Sequence, residues 1–323
     1  MCTAMNIKGR YHYFGRNLDL EYTYNEAIIV TPRKYPFFLR FEEAMFDHYA
    51  MVGVATVIDN YPLYYDAANE HGLCIAGLNF PGNAHYFPVQ PDKINLAPFE
   101  LIPWILGNCK NLEEVKATLI NINVADEPFS KSCPNTPLHW MVAYKDLSIV
   151  IEQTKDGLIY YENPIGILTN NPPFPYHLWN ICNYTHLSST DPINVFSPDL
   201  KISPYSRGMG AIGLPGDYSS TSRFIRAAFL KLNSIINDDE TSNVMQFFHV
   251  MNAVAMPSGA VLVDGKPEIT IYTSCCNADK GIYYYNTYEN SQIMFVKLFN
   301  ENLDSKKLVQ YPLYIHPEFR SEK

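Results

Sequence analysis

The sequence predicts an α+β protein in which helices lie outside stacked layers of antiparallel strands. Strand-like segments occur near both ends of the chain and in its middle, and helical segments form two blocks between them. Short hairpin turns, not regular βαβ units, connect the strands. Sheets connected in this way bury one face against each other and the second face against helices. We therefore expect two stacked antiparallel sheets with helices on the outside.

The predicted strands are short runs that are rich in β-branched or aromatic residues and bounded by Gly, Pro, Asn or Asp. They cover residues 11–16, 27–31, 51–58, 72–78, 139–144, 148–153, 158–162, 269–274, 281–286 and 293–298.

The helices are predicted from apolar spacing and from capping residues. Apolar residues recur at helical spacing over residues 98–107. A second helix is predicted up to residue 119, because Asn111 offers an N-cap and Glu114 stands three residues later. The second block contains helices over residues 220–232 and 243–255.

Length and charge limit the possible functions. The chain of 323 residues has a formal net charge of −9, so no basic field is available to attract nucleic acid. No repeat or linker divides it, and we expect a single domain over residues 1–323. Residues 191–204, with three prolines, are expected to form a surface excursion.

The sequence also bears on location and cofactors. The first 21 residues contain charged side chains, and no apolar run approaches the roughly 20 residues that cross a bilayer. We expect a cytoplasmic protein without a membrane partner. The seven cysteines are scattered and lack a C-x-x-C pair, and the nine histidines show no metal-ligand spacing. The sequence predicts neither a metal nor another cofactor.

Cys2 is the first candidate for catalysis. Removal of Met1 makes Cys2 the first residue, and an N-terminal cysteine carries a nucleophilic thiol and a basic amine together. The amine can accept the proton of the thiol. The alternative interpretation is a buried or frayed terminal cysteine without a function.

Arg16 and Asp19 lie in the run FGRNLD over residues 14–19. Arg16 is a permanent cation that can stabilise a thiolate, and Asp19 is an anion that can hold the amine. Residues three apart on a flat strand point to opposite faces, so we expect a bend or bulge near Asn17 and Leu18. The alternative is an ordinary surface ion pair.

Arg223 and Asn170 are further candidates. The hydroxyl residues over 219–222 offer a helix N-cap, which places Arg223 in the first turn, where the macrodipole disfavours a cation. A charge that breaks a local rule often marks a site, and a solvated surface position is the alternative. Asn170 can direct its amide N–H at a developing oxyanion.

Several segments, in order along the chain, carry a resemblance to a known family. They are MCTA at 1–4, FGRNLD at 14–19, GLNFP at 77–81, LTNNP at 168–172, GLPGD at 213–217, SRF at 222–224 and GIYYYNTY at 281–288. Through them the chain resembles the choloylglycine hydrolases, which are conjugated bile acid hydrolases of the N-terminal nucleophile (Ntn) superfamily. The resemblance implies a four-layer αββα sandwich and cleavage of the amide that joins a bile acid to glycine or taurine.

The resemblance implies a catalytic group of six side chains: Cys2, Arg16, Asp19, Asn79, Asn170 and Arg223. In this group the cysteine is the nucleophile and its freed amine the base. Arg16 and Asp19 resemble the pair that tunes the thiol and orients the amine. The two asparagines match positions that contact the reacting amide or its oxyanion, and Arg223 matches the family's site arginine.

The resemblance also implies a substrate pocket and an assembly. The apolar pocket positions are similar to Leu18, Tyr24, Ile58, Phe129, Cys133 and Leu138. Family analogy implies a homotetramer, with residues 191–204 as a contact between copies.

Two alternatives remain open at this point. One is a penicillin V acylase of the same superfamily, which cleaves an aromatic acyl amide with the same terminal cysteine. Asn79 favours the bile acid branch, because acylases of the penicillin type tend to have an aromatic residue there. The other alternative is a non-catalytic carrier of steroid-like amphiphiles, which has no use for a freed Cys2.

Overall fold

The computed structural model describes residues 1–322, and two antiparallel sheets dominate it. In chain order the strands are β1 Cys2–Lys8, β2 His12–Leu20, β3 Ala27–Thr31, β4 Met51–Ile58, β5 Tyr61–Asn69, β6 Cys74–Asn79, β7 Ile94–Leu96, β8 Ile122–Val124, β9 Leu138–Tyr144, β10 Leu147–Thr154, β11 Gly157–Glu162, β12 Ile167–Leu168, β13 Leu262–Val263, β14 Lys266–Pro267, β15 Ile269–Asn277, β16 Ile282–Thr287, β17 Met294–Lys297 and β18 Val309–Pro312.

Five α-helices are present in the same part of the chain: α1 Leu101–Asn108, α2 Leu112–Leu119, α3 Phe174–Asn180, α4 Ser220–Leu232 and α5 Glu240–Asn252. Side-chain caps explain where two of them begin. Asn111 accepts a hydrogen bond from the backbone N–H of Glu114 at 3.0 Å, and Ser219 accepts one from Ser222 at 3.4 Å. None of the described helices has the length and apolar character that a membrane span requires.

The two large sheets have different strand orders. One has six strands in the order β12-β1-β2-β15-β16-β17, and the other has eight in the order β11-β10-β9-β6-β5-β4-β3-β18. Strands β1 and β2 therefore lie inside the six-stranded sheet, and each has a hydrogen-bonded neighbour on both sides. In their register Cys2 lies opposite Leu18, and Ala4 lies opposite Arg16.

Alternating side chains on the strands define four layers. On β4, Val52 and Val54 belong to the core shared with the six-stranded sheet, whereas Met51 and Ala55 belong to the core shared with α1 and α2. Helices α4 and α5 cover the outer face of the six-stranded sheet. The order helix, sheet, sheet, helix confirms the predicted αββα sandwich.

Most predicted elements are present with shifted ends. The helix predicted over residues 243–255 is α5, which begins three residues earlier, and the helix predicted from residue 98 starts with a 3₁₀ turn, Pro98–Glu100, before α1. Eight strands and one α-helix were not predicted: β1, β5, β7, β8, β12, β13, β14, β18 and α3. Two of these, β1 and β5, carry residues of the candidate site described below.

Candidate active site

Cys2 and Arg16 meet on the inner face of the six-stranded sheet. The Cys2 side chain is only 3% exposed, and its Sγ accepts a hydrogen bond from Nη2 of Arg16 at 2.6 Å. The register explains the contact: Ala4 lies opposite Arg16, and Cys2, two residues before Ala4 on β1, points to the same face, so Cys2 and Arg16 are diagonal neighbours. A guanidinium at this distance is the kind of environment that stabilises a thiolate.

The Arg16 guanidinium bridges the two sheets. Its Nη1 donates to the carbonyl oxygens of Tyr65 at 3.0 Å and Gly77 at 2.5 Å, which belong to β5 and β6 of the eight-stranded sheet. Burial by itself would lower the pKa of Arg16, but the Cys2 thiolate and other nearby negative groups reverse this and raise it. Arg16 is therefore a fixed cation, and a surface ion pair is the wrong interpretation.

Asp19 approaches the chain terminus from the other face of β2. Its Oδ1 accepts from Thr270 Oγ1 at 2.6 Å, and its main-chain N and O pair with Met1 at 3.0 and 2.7 Å. A bulge does lie beside Leu18, but its extra residue, between Thr270 and Tyr272, belongs to β15 and not to β2. Arg16 contacts the thiol on the inner sheet face, whereas Asp19 contacts the terminus through its main chain and Thr270 through its side chain.

Charge and burial compete at Asp19. Burial raises the pKa of the Asp19 carboxyl, whereas the positive terminal amine and Arg223 act in the opposite direction. Its Oδ2 is buried and has no hydrogen-bond partner among residues 1–322. One carboxylate oxygen next to the terminus is thus available to a positive amine.

Arg223 lies in the first turn of α4 and is fully buried. Its Nη1 donates to the Cys2 carbonyl oxygen at 2.5 Å and to Thr3 Oγ1 at 2.7 Å, and its Nη2 donates to Asn170 Oδ1 at 2.7 Å. Burial lowers its pKa. The solvated surface position is therefore wrong, and the unfavourable helix position is offset by these contacts.

The Asn170 side chain links Cys2 to Asn79. Its Oδ1 accepts from the main-chain N of Cys2 at 2.9 Å, and its Nδ2 donates to the Asn79 carbonyl oxygen at 2.8 Å. The oxygen of Asn170 thus faces the cysteine nitrogen, and its N–H, expected to point at an oxyanion, donates to Asn79. The Asn79 side-chain oxygen is buried without a partner in the described part of the chain. The Asn79 side-chain amide therefore keeps free hydrogen-bonding capacity in the described structure.

Two buried carboxylates near this group were missed from the sequence. Glu268, only 1% exposed, forms an ion pair with the amine of Met1. Asp66, also 1% exposed, accepts from the Tyr272 hydroxyl at 2.5 Å. Both pairs join residues more than 200 positions apart in the chain. No local motif could have shown these contacts.

An apolar cavity of about 170 Å³ adjoins the contacts of Arg16. Tyr65 and Gly77, whose carbonyl groups bind Arg16, are part of its wall. Of the six predicted pocket residues, three line this cavity: Phe129, Cys133 and Leu138. The other three lie outside its lining: Leu18 in the core, Ile58 at the end of β4, and Tyr24 at the surface.

The cavity of about 170 Å³ is not lined by Cys2 or Arg16 themselves, and it adjoins them only through Tyr65 and Gly77. Larger ones of about 460, 560 and 780 Å³ are lined by residues of the described chain that include neither Cys2 nor Arg16. Within residues 1–322 no group of three His, Cys, Asp or Glu side chains is arranged to hold a metal ion.

Comparison with known proteins defines the class. A family model described as "Linear amide C-N hydrolases, choloylglycine hydrolase family" matches residues 2–311. A bile salt hydrolase/transferase of Lactiplantibacillus plantarum is 53% identical over 314 residues, 97% of each chain. The crystal structure of the C2A mutant of conjugated bile acid hydrolase from Clostridium perfringens has a TM-score of 0.94 at 39% identity and covers 100% of both chains.

A more distant structure shares the fold. Penicillin V acylase from Agrobacterium tumefaciens has a TM-score of 0.78 at 15% identity, with 98% of this chain and 94% of that chain covered. The sandwich is the Ntn hydrolase fold, and the family model adds the class of linear amide C–N hydrolases. The chain belongs to the choloylglycine hydrolase family of linear amide C–N hydrolases, so the non-catalytic carrier is the wrong alternative.

Proposed function

We propose that the protein hydrolyses the amide bond of bile acids conjugated to glycine or taurine, with Cys2 as nucleophile and a thioester as intermediate. The 2.6 Å contact between the Cys2 thiol and the Arg16 guanidinium, next to an apolar cavity, carries the proposal. The names of the bile salt hydrolases to which the chain is similar support this substrate class.

Acylation begins after removal of Met1, which turns the main-chain nitrogen of Cys2 into a free α-amine. This amine takes the thiol proton, and the sulfur, stabilised as a thiolate by Arg16, attacks the carbonyl carbon of the amide. The tetrahedral oxyanion is stabilised by N–H donors. The protonated amine then gives its proton to the amide nitrogen, the C–N bond breaks, and glycine or taurine leaves.

Deacylation uses the same amine. A water molecule attacks the carbonyl carbon of the thioester while the amine takes one of its protons. The C–S bond breaks, the sulfur recovers the proton, and the free bile acid leaves. One residue therefore supplies the nucleophile and the base in both halves of the reaction.

The polar neighbours of the cysteine have separate roles in this proposal. Asn170 orients the amine through its oxygen, and Asp19 is the counter-ion of the amine once it is protonated. Asn79 has a side-chain amide without other partners and is our candidate for the substrate amide or its oxyanion. Arg223 fixes Asn170 and the Cys2 carbonyl group in place.

The apolar cavity suits the steroid part of the substrate. Burying apolar surface stabilises a complex by about 25 cal/mol per Å², which does not require attraction at long range. This matters because a chain with a net charge of −9 does not attract an anionic conjugate from a distance. We propose Phe129, Cys133 and Leu138 as steroid contacts.

Parallel assays on glycocholate, taurocholate and penicillin V test the proposal, together with mass spectrometry of the N-terminus. We expect the protein without Met1 to cleave both conjugates faster than penicillin V, and Cys2→Ala to abolish turnover. Cys182→Ala, at an exposed cysteine, is the matched control and should keep full activity. Unchanged hydrolysis by Cys2→Ala would remove the nucleophile assignment, and faster cleavage of penicillin V would favour the acylase.

Assembly and location are proposed separately. Residues 185–208 contain neither helix nor strand, and Ile193, Val195 and Phe196 in this segment are each more than 80% exposed. We propose that this apolar surface joins copies of a single-domain chain into a homotetramer in the cytoplasm. Light scattering should show a tetramer, and replacement of these three residues by Ser should reduce the mass. A monomeric unchanged protein would contradict the proposal.

A further inference from the structure

A buried carboxylate lies between the two sheets, behind Arg16. Asp66 is on β5 of the eight-stranded sheet and is 1% exposed. It accepts hydrogen bonds from three hydroxyl groups of the six-stranded sheet: Tyr272 at 2.5 Å, Ser274 at 3.1 Å, and Tyr283. Such a set of donors favours the ionised form of a carboxyl group.

The same carboxylate is connected to Arg16 through two routes. The Ser274 hydroxyl accepts from the main-chain N–H of Arg16 at 3.0 Å and donates to Asp66. Where β4 pairs with β5, Val54 lies opposite Asp66 and Ala55 lies opposite Tyr64. Tyr65 therefore has no partner on β4 and is the extra residue of a bulge in β5. Its carbonyl oxygen accepts from Nη1 of Arg16. Asp66 therefore belongs to the segment that holds the guanidinium.

The connection between Asp66 and Arg16 can balance the charge of the buried guanidinium during the reaction. Arg16 is fully buried and remains a cation in every step, whereas the sulfur of Cys2 is negative only as a thiolate. In the thiol and in the thioester the sulfur carries no charge. A buried cation needs a partner in these states as well, because burial of an unpaired charge is strongly unfavourable.

Among the groups near Arg16, Asp66 is the anion best placed to balance its charge when Cys2 is neutral. From β15 comes Tyr272, whose pKa burial raises well above the usual value, so its hydroxyl stays neutral. From β2 comes Asp19, which faces the terminus and Thr270. Burial raises the pKa of Asp66, and Arg16 is the strongest influence in the opposite direction.

We propose that Asp66 is a positioning residue, the permanent counter-ion of Arg16 that holds the guanidinium against Cys2 when the sulfur is uncharged. The proposal rests on the proposed function of Cys2 as the nucleophile. Asp66 touches no substrate in this scheme, and it acts through Arg16.

Asp66→Asn is the direct test, because it removes the charge and keeps the shape. Without the anion, the thiolate becomes the only negative partner of Arg16, and conversion into the neutral thioester becomes unfavourable. We expect the pH midpoint of Cys2 alkylation by iodoacetamide to fall by at least about 0.5 pH units. We expect kcat per titratable thiol to fall about tenfold or more, with KM for glycocholate within about twofold of wild type.

Two further variants serve as a control and as a second, independent test. Glu240→Gln is the matched control, since this carboxylate also accepts from a β16 tyrosine hydroxyl, that of Tyr284 at 3.0 Å, but bonds no group of the Arg16 cluster. It should change neither quantity. Tyr283→Phe removes one donor to Asp66 and should shift both in the same direction by a smaller amount, which decides the case if Asp66→Asn does not fold.

The outcomes separate this proposal from the function on which it rests. If alkylated wild-type protein still hydrolyses glycocholate, the nucleophile assignment fails and the role of Asp66 fails with it. If alkylation inactivates the wild type, but Asp66→Asn keeps the alkylation midpoint within about 0.2 pH units and kcat within about threefold, only the role of Asp66 is overturned. A lower melting temperature alone, with both quantities unchanged, also overturns it.

Discussion

The main-chain nitrogen of Cys2 donates a hydrogen bond of 2.9 Å to the side-chain oxygen of Asn170, which also accepts from Arg223 at 2.7 Å. This nitrogen becomes the α-amine when Met1 is removed. The contact therefore places an acceptor and a cation beside the group that we propose as the base. His177 supports the arrangement from behind, with Nε2 2.9 Å from the Asn170 carbonyl oxygen.

Replacing Asn170 by Ala should lower kcat strongly. The amine loses its acceptor, Arg223 loses one partner, and the group next to Asn79 disappears. Loss of one oxyanion donor costs about 100- to 1,000-fold in rate, and we expect a decrease of this order for Asn170. Steady-state kinetics on glycocholate measures the effect, with Asn171→Ala as control because Asn171 donates to Pro81 instead. A loss of less than about threefold would show that Asn170 has no part in catalysis.

Arg16→Lys should weaken the thiol although it keeps the charge. The guanidinium donates to Cys2 on one sheet and to the carbonyl groups of Tyr65 and Gly77 on the other, and an ammonium cannot reproduce this planar geometry. We expect kcat/KM to fall by about 10- to 100-fold and the pH midpoint of Cys2 alkylation to rise. A midpoint equal to that of wild type would mean that the position of the charge does not matter.

Cys133→Phe should affect substrate binding more than the chemical step. Cys133 lines the cavity of about 170 Å³, and a phenyl group there takes up space proposed for the steroid. We expect KM for glycocholate to rise about tenfold or more, with kcat within about threefold. The same substitution at the exposed Cys182 is the control and should leave KM unchanged. Equal effects at the two positions would argue against a steroid site in this cavity.

Local signals explain which parts of the fold could be predicted. Helices α2 and α4 could be predicted because Asn111 and Ser219 are caps that act within three residues. Strand β1 was missed because it is buried on both faces and has no clear alternation, and β5 was missed because Pro62 and Asp66 interrupt its apolar pattern. Such strands are stabilised by tertiary contacts, which a propensity argument does not include.

The residues of the candidate site likewise divide into those that local signals could predict and those that depend on tertiary contacts. Cys2, Arg16 and Arg223 could be proposed from chemistry and from a charge in an unfavourable helix position, and the structure brings all three together. Asp66 and Glu268 could not, because each is one acidic residue in a strand region and gains its meaning from partners on another sheet or at the terminus. The direction of Asn170 likewise depends on packing of α4 against β12.

His12 should make the fold sensitive to acid. It is almost fully buried, its Nδ1 accepts from the main-chain N–H of Lys145 at 3.1 Å, and its Nε2 lies 2.7 Å from Asn6 Oδ1. These contacts suit the neutral ring with the proton on Nε2. Burial is the largest cause that lowers the pKa of His12 to about 4, from an ordinary value of 6.5. The unfolded chain therefore binds more protons than the folded chain between these two pH values.

Because of this difference, the free energy of unfolding should decrease as the pH falls from 6.5 to 4, and the contribution of His12 should reach about 3 kcal/mol. Urea unfolding at pH 7, 6, 5 and 4 measures the decrease. His12→Gln, which has no titrating ring, should show a shallower decrease by about that amount, whereas His316→Gln, at an exposed position, should follow the wild type. If His12→Gln loses stability with acid as steeply as the wild type, the protonation of His12 does not destabilise the fold.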